Sequence, residues 1–330
     1  MSWDSLCGVY LLLDMIAVMV YPLTYLLTYF INAYVLIYSG TFSNYELFND
    51  IIGHICHSSI LVPFYPWQLS HRRHHMYHNH VDKDYSHPWY LPERLLREDE
   101  GLARLMDKYS FIRVIFPFVG WPIYIFLGMP DGNHMIPFAG QRLWKESDGT
   151  RSKESIKCIV SAISVILAAA GSYYYFDQSF SKMAYNHLIP VLFFGWWLVS
   201  VTYLQHHEED TLVYDDKSWN FVDSAFETVD RKFGYGIDTL HHHITDGHVA
   251  HHLFFTKIPH YNLPIATKAI QEYLARNGLD FLYKYEITTD FVYRTHKNFV
   301  KFGFRAHKAP DDFDPVDAKA KADLKAKKRV

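Results

Sequence analysis

The chain has 330 residues, 49% of them apolar and 17% aromatic, with a formal net charge of −3. That length admits one large domain or two, and the charge gives no polyelectrolyte case for nucleic acid. The three cysteines, Cys7, Cys56 and Cys158, share no CxxC spacing, so neither a disulfide framework nor a thiolate zinc site is indicated.

In chain order, Met15 to Asn44 carries no charged residue. About 20 apolar residues cross a bilayer core of roughly 30 Å, so this run suffices for one span but not for a full hairpin. It lacks the basic flank of a cleaved signal peptide and is longer than an h-region. Residues 1–50 therefore read as an apolar membrane segment, kinked or turned at Pro22. Ile51 to Leu69 is apolar but interrupted by His54, His57, Pro63 and Pro66, which predicts a short helix in or near the interface. Phe111 to Met129, with Arg113, Pro117 and Pro122, predicts a second interfacial or re-entrant segment.

Ile156 to Phe176 and Leu188 to Tyr203 are each long enough to cross, and Asp177 to His187 joins them, which predicts a helical hairpin. Lys182 is the one basic residue of that joining stretch, whereas Arg142, Lys145, Arg151, Lys153 and Lys157 precede the hairpin and Lys217, Arg231 and Lys232 follow it. Basic excess marks the cytosolic face, so both ends of the hairpin belong there. Residues 51–308 form the main domain on this reading, and 309–330 a charged, solvated tail. Lys327, Lys328, Arg329 and Val330 at its end look like a dilysine retrieval signal for the endoplasmic reticulum. The fold class expected is all-α, with integral membrane hairpins and a cytosolic helical cap, because nothing in the apolar runs alternates like a barrel.

The chain holds 21 histidines, mostly clustered. Ser-His-Arg-Arg-His-His at Ser70 to His75 and Gly-His-Val-Ala-His-His at Gly247 to His252 share one spacing, a histidine followed by two more at i+3 and i+4. On a helix those positions share a face, so His71, His74 and His75 aim at one point, and His248, His251 and His252 at another. Two such faces brought together make a metal site. Imidazole suits Fe, Zn and Cu, and spacing does not choose among them.

SHRRHH at Ser70 to His75, GWP at Gly120 to Pro122, TYLQHH at Thr202 to His207 and ITDGHVAHHLFFTKIPHYNLP at Ile244 to Pro264 resemble the membrane fatty acid desaturases, most closely the methyl-end delta-12 and omega-3 group. HPWY near His87 and NFVDSAFETVDRKFG from Asn220 lean toward its nematode-like members. The resemblance covers about Thr41 to Lys308 and implies removal of two hydrogens from an unactivated acyl chain, with O2 and two electrons, at a non-haem di-iron centre. It makes His71, His74, His75, His248, His251 and His252 metal ligands, with His206 as a seventh and His207 as the fallback. Carboxylates should orient these ligands and offset charge, with Asp82, Asp84, Glu208, Glu209, Asp210 and Asp246 as candidates. His242 and His260 take supporting places, and His78, His80 and His87 are expected as polar loop residues near the site. His134, His187, His296 and His307 are isolated and expected at the surface. The substrate implied is a fatty acyl lipid or acyl-CoA. With no HPGG haem module present, the electron donors implied are separate cytochrome b5 and its reductase.

One departure is serious. The family carries a first histidine box, HxxxH, directly before a segment resembling GTFSNYELFND, which here runs from Gly40 to Asp50. The two expected imidazoles fall on Val35 and Ser39, neither of which can replace them on iron. The amino-terminal part also reads as shorter than the family norm, at the same edge. The expectation is a desaturase-like chain impaired or inactive in catalysis. A non-catalytic partner or regulator of an active desaturase is the other class open, and the boxes alone do not exclude a hydroxylase or conjugase.

Overall fold

The structure, a computed structural model, describes residues 45–84, 86, 87, 89, 91, 108–127, 134–136, 155–255 and 257–319. Val35, Ser39, nearly all of the 1–50 segment and the dilysine-like end lie outside the described residues.

Helices dominate. α1 (Glu46–Ser59) and α2 (Phe64–Tyr77) occupy the stretch where one short helix was expected. The prolines start the second helix instead of interrupting one. Pro63 is its extended N-cap and Pro66 lies in its first turn, where a missing N–H costs no helical hydrogen bond. The chain reverses between the two at Leu61, in the left-handed region with φ 58°, while the Leu61 and Val62 N–H groups donate to Ser58 and His57 carbonyls.

α3 (Ser110–Pro122) runs on through a π-helical turn at Ile123–Leu127. Its Arg113 donates to the Val300 carbonyl at 3.2 Å, so the one charge in this apolar stretch is used internally.

α4 (Ser155–Tyr175) and α5 (Phe180–His206) are long and apolar enough to cross a membrane. At 1.5 Å per residue, the 21 residues of α4 reach about 31 Å. α5 begins earlier than expected, because residues 180–188, too mixed in polarity to read as a span, are helical and include a π turn at Ala184–Leu188. The connection is therefore only four residues, 176–179, with Asp177 and Gln178 at positive φ. Near it the Ser172 hydroxyl meets His187 Nδ1 at 2.6 Å. Farther along, the two helices take different neighbours: α4 packs on α1 and α2, α5 on α3 and on α10 (Phe291–Lys301). Gly195 permits the α3 contact, since a Cβ there would stand 2.6 Å from the Trp121 ring. α4 turns Ile156, Val160, Ile163, Ile166 and Leu167 outward, with Tyr173, Tyr174 and Tyr175 exposed at its far end. An apolar face closed by an aromatic belt is the pattern of a helix solvated by lipid.

Beyond α5 lie α6 (Phe221–Phe226), α7 (Ile237–Leu240), α8 (His248–Leu253), α9 (Leu263–Arg276) and α10, with four short strands. β1 (Leu212–Val213) pairs in parallel with β4 (His307–Lys308), and β2 (Val229–Lys232) with β3 (Lys284–Ile287). These strands are two to four residues long and leave the fold mostly helical, consistent with the all-α expectation. A cluster of Phe116, Tyr203, Leu204, Phe233, Phe291, Phe299 and Phe302 joins α3, α5 and α10 beneath them.

Candidate metal centre

Three helix ends meet at one place. α2 brings His71, His74 and His75 in its last two turns, α5 brings His206 at its last position, and α8 brings His248, His251 and His252. The two triplets face each other. The His75 ring lies 4.4 Å from that of His251 and 4.3 Å from that of His252, and His74 lies 5.0 Å from His252. His206 closes the group, 4.7 to 4.9 Å from the rings of His74, His248 and His252.

The ring nitrogens sort into two groups. Nε2 of His206 stands 3.3 Å from that of His74 and 2.9 Å from that of His248, which in turn stands 3.1 Å from that of His252. Nε2 of His75 and His71 are 3.0 Å apart, and His251 joins them. Two nitrogens bound at right angles to an ion with bonds of about 2.1 Å would stand about 3.0 Å apart. The spacings present are those of ligand sets, and the residues fit first-row transition ions.

Burial, reinforced by neighbouring imidazoles, holds His71, His75, His248 and His252 well below the ordinary histidine range, and takes His251 down to about 3. These rings are neutral at pH 7, the form that ligates metals. Apolar walls enforce it: Trp67 stacks on His71 at 4.7 Å, and Phe255 on His75 at 3.8 Å.

Of the carboxylates expected beside the ligands, Asp84 is in place. Fully buried, it sets both oxygens 3.0 Å from His74 Nδ1 and accepts from the Asn79 and Ser86 N–H groups. Burial opposes its ionisation, but the imidazoles of His74 and His87 outweigh that and hold the carboxyl well below the usual range. An acceptor on Nδ1 fixes the tautomer and turns Nε2 toward the centre. Asp82 is exposed, and Asp246 pairs with His243 Nδ1 at 3.0 Å. Glu208 and Glu209 pair with Arg231 and Lys301, and Asp210 is exposed. His207 is buried, stacked on Tyr203 and 4.5 Å from the Trp89 ring. His242, at positive φ, packs 4.1 Å from His260.

His87 and His78 stand near the site as expected, the His87 ring 4.6 Å from both His74 and His206 and the buried His78 ring 4.8 Å from that of His252. The structure corrects other placements. Three histidines expected at the surface are held by the fold: His134 is buried against Tyr124, while half-buried His187 meets the Ser59 carbonyl at 2.7 Å and half-buried His296 packs between Phe118 and Trp196. His307 is exposed as expected.

Sequence reading also passed over what holds the helices. Arg231, fully buried on β2, donates through Nε to the Leu204 carbonyl at 2.5 Å, an unpaired acceptor near the end of α5, and pairs with Glu208 and Glu286. Its neighbour Asp230 accepts from Val249 N–H at 2.8 Å, in the first turn of α8, and from the Tyr283 hydroxyl. Gly247 completes the seat, because a Cβ there would meet the His243 carbonyl at 2.7 Å. Little in the sequence set them apart, since Asp230 and Arg231 stand in NFVDSAFETVDRKFG, where Asp223, Glu227 and Lys232 are charged as well.

Residues 19–285 match the sequence profile of the fatty acid desaturases. The chain belongs to the fatty acid desaturase family. It is 40% identical over 275 residues to a Delta(12) fatty acid desaturase of Caenorhabditis elegans, and 38% identical over 280 residues to an omega-3 fatty acid desaturase of the same species. Each alignment covers 82% of this chain. An acyl-lipid omega-3 desaturase (cytochrome b5) of the endoplasmic reticulum from Arabidopsis thaliana is 36% identical over 242 residues, 72% of this chain. This desaturase-family chain spans 69%, 64% and 58% of the lengths of these three relatives.

Proposed function

We propose that the chain is a methyl-end acyl desaturase by descent, built to hold iron between α2, α5 and α8, and impaired in catalysis by Val35 and Ser39. The observation that carries this reading is the convergence of seven imidazoles from three helix ends. His71, His74, His75, His206, His248, His251 and His252 would hold the iron. When bound, iron supplies the oxidising power for an unactivated C–H bond, which no side-chain acid or base provides. The chain's own part is geometric. Asp84 orients His74, Trp67 and Phe255 keep water from the rings, and burial keeps the imidazoles unprotonated. The name of the Arabidopsis relative, an acyl-lipid omega-3 desaturase (cytochrome b5) of the endoplasmic reticulum, supports a fatty acyl lipid as substrate, cytochrome b5 as donor and the endoplasmic reticulum as location. An acyl-CoA as the other carrier and a separate reductase rest on the family resemblance, and a cytosolic place for the histidine-bearing helix ends rests on the basic residues that flank α4 and α5. Asp84 is the orienting carboxylate on this reading, while Asp82, His207, His242 and Asp246 serve the surrounding structure.

A non-catalytic role beside an active desaturase is the second reading, favoured by the absence of imidazoles at 35 and 39. Expression in yeast with fatty acid profiling separates the two. The chain as it stands is expected to yield no new dienes or trienes, and Val35→His with Ser39→His to produce them. Products from the unaltered chain would end the impairment reading. None from the double variant would leave the partner role.

A further inference from the structure

The two nitrogen groups of the centre are not equivalent, and the difference bears on how much metal the chain keeps. Around His74, His206 and His252 the donors are buried, and His248 adds a fourth Nε2 within 2.9 Å of His206 and 3.1 Å of His252. Asp84 stands behind His74 with both carboxylate oxygens at 3.0 Å, supplying a negative charge one imidazole away. The His71, His75 and His251 group has three nitrogens, and among the described residues no carboxylate oxygen joins it. Its walls are the faces of Trp67 and Phe255.

A dipositive ion in each group therefore meets different surroundings. In the first it is held by four neutral donors, one of them polarised by a buried carboxylate. In the second it is held by three neutral donors against apolar rings, where an uncompensated charge is costly. Carboxylates behind ligating histidines commonly change metal affinity about 10–100-fold, and a fourth ligand adds to that. All 21 histidines of the chain lie among the described residues, and His71, His75 and His251 are the three that fall in the weaker group.

Resting on the metal-centre reading above, we infer that this chain retains one transition-metal ion firmly, at His74, His206, His248 and His252, and holds a second at His71, His75 and His251 at least ~10-fold more weakly. The consequence is a centre that is singly occupied at limiting metal.

The test uses the full chain in detergent, loaded anaerobically with Fe(II), dialysed against a weak chelator and counted by elemental analysis, with Co(II) absorption as a spectroscopic probe of the same sites. The expected result is about one ion retained per chain, kept in His251→Ala, lost in His206→Ala, and bound about 10–100-fold more weakly in Asp84→Asn. Asp84→Asn keeps all four imidazoles and preserves shape, so it reports the ranking even where His206→Ala fails to fold. Two ions retained with equal affinity, or an ion lost in His251→Ala and kept in Asp84→Asn, would overturn the ranking alone. No ion retained by the folded wild-type chain would overturn the metal-centre reading as well.

Discussion

The α4–α5 pair and the β2–α8 region place the histidines in opposite ways. α4 and α5 are set by bulk properties: length, apolar content and an outward face that one aliphatic residue fills as well as another. β2 and α8 are set by single polar atoms. Arg231 and Asp230 are both fully buried, and each satisfies one backbone group at the end of a histidine-bearing helix. An exposed apolar helix face tolerates substitution because no single atom on it has a required partner. A seat made of one carboxylate and one guanidinium tolerates very little.

Substitution should expose that difference, beginning at β2. Arg231→Ala leaves Glu208, Glu286 and the Leu204 carbonyl unanswered, and is expected to cost about 3 kcal/mol, the low end for a broken buried pair because both carboxylates reach water. Thermal unfolding in detergent measures it. Asp230→Ala strips the acceptor from Val249 N–H and is expected to cost about 1–2 kcal/mol, as for a lost helix cap, and to loosen metal retention. Asp230→Asn keeps an acceptor oxygen and should restore most of both. Were Asn no better than Ala, the capping contact would not be what seats α8. Leu167→Ala on the exposed face of α4 is expected to change stability by about 0.5 kcal/mol or less. An effect there as large as at Arg231 would erase the distinction between the two regions.

The same contrast explains what the sequence disclosed. Hydropathy located α4 to within one residue at each end, since composition is what makes such a helix. It missed the first turns of α5, where Phe180 to Leu188 mixes Lys182, Asn186 and His187 among apolar residues and is nonetheless helical. Histidine spacing foretold that each triplet shares a face, because i, i+3 and i+4 is a property of the helix alone. Pro63 and Pro66 misled, since proline ends one helix and opens the next with equal ease. β2 and β3 were not foreseen, for Val-Asp-Arg-Lys on β2 does not alternate in polarity and the four-residue alternation of Lys-Tyr-Glu-Ile on β3 finds its partner 55 positions away. His87 was expected near the site, but its contact with both His74 and His206 is created by the fold of the loop, not by any spacing.

Arg231 and Asp230 are consecutive residues on one four-residue strand, so the last turn of α5 and the first turn of α8 are pinned to the same short bar. A displacement of that bar carries His206 and His248 together. Their 2.9 Å separation is thereby insulated from any tilting of the long apolar helices, and the nitrogen cage travels as a rigid cargo while those rods sway.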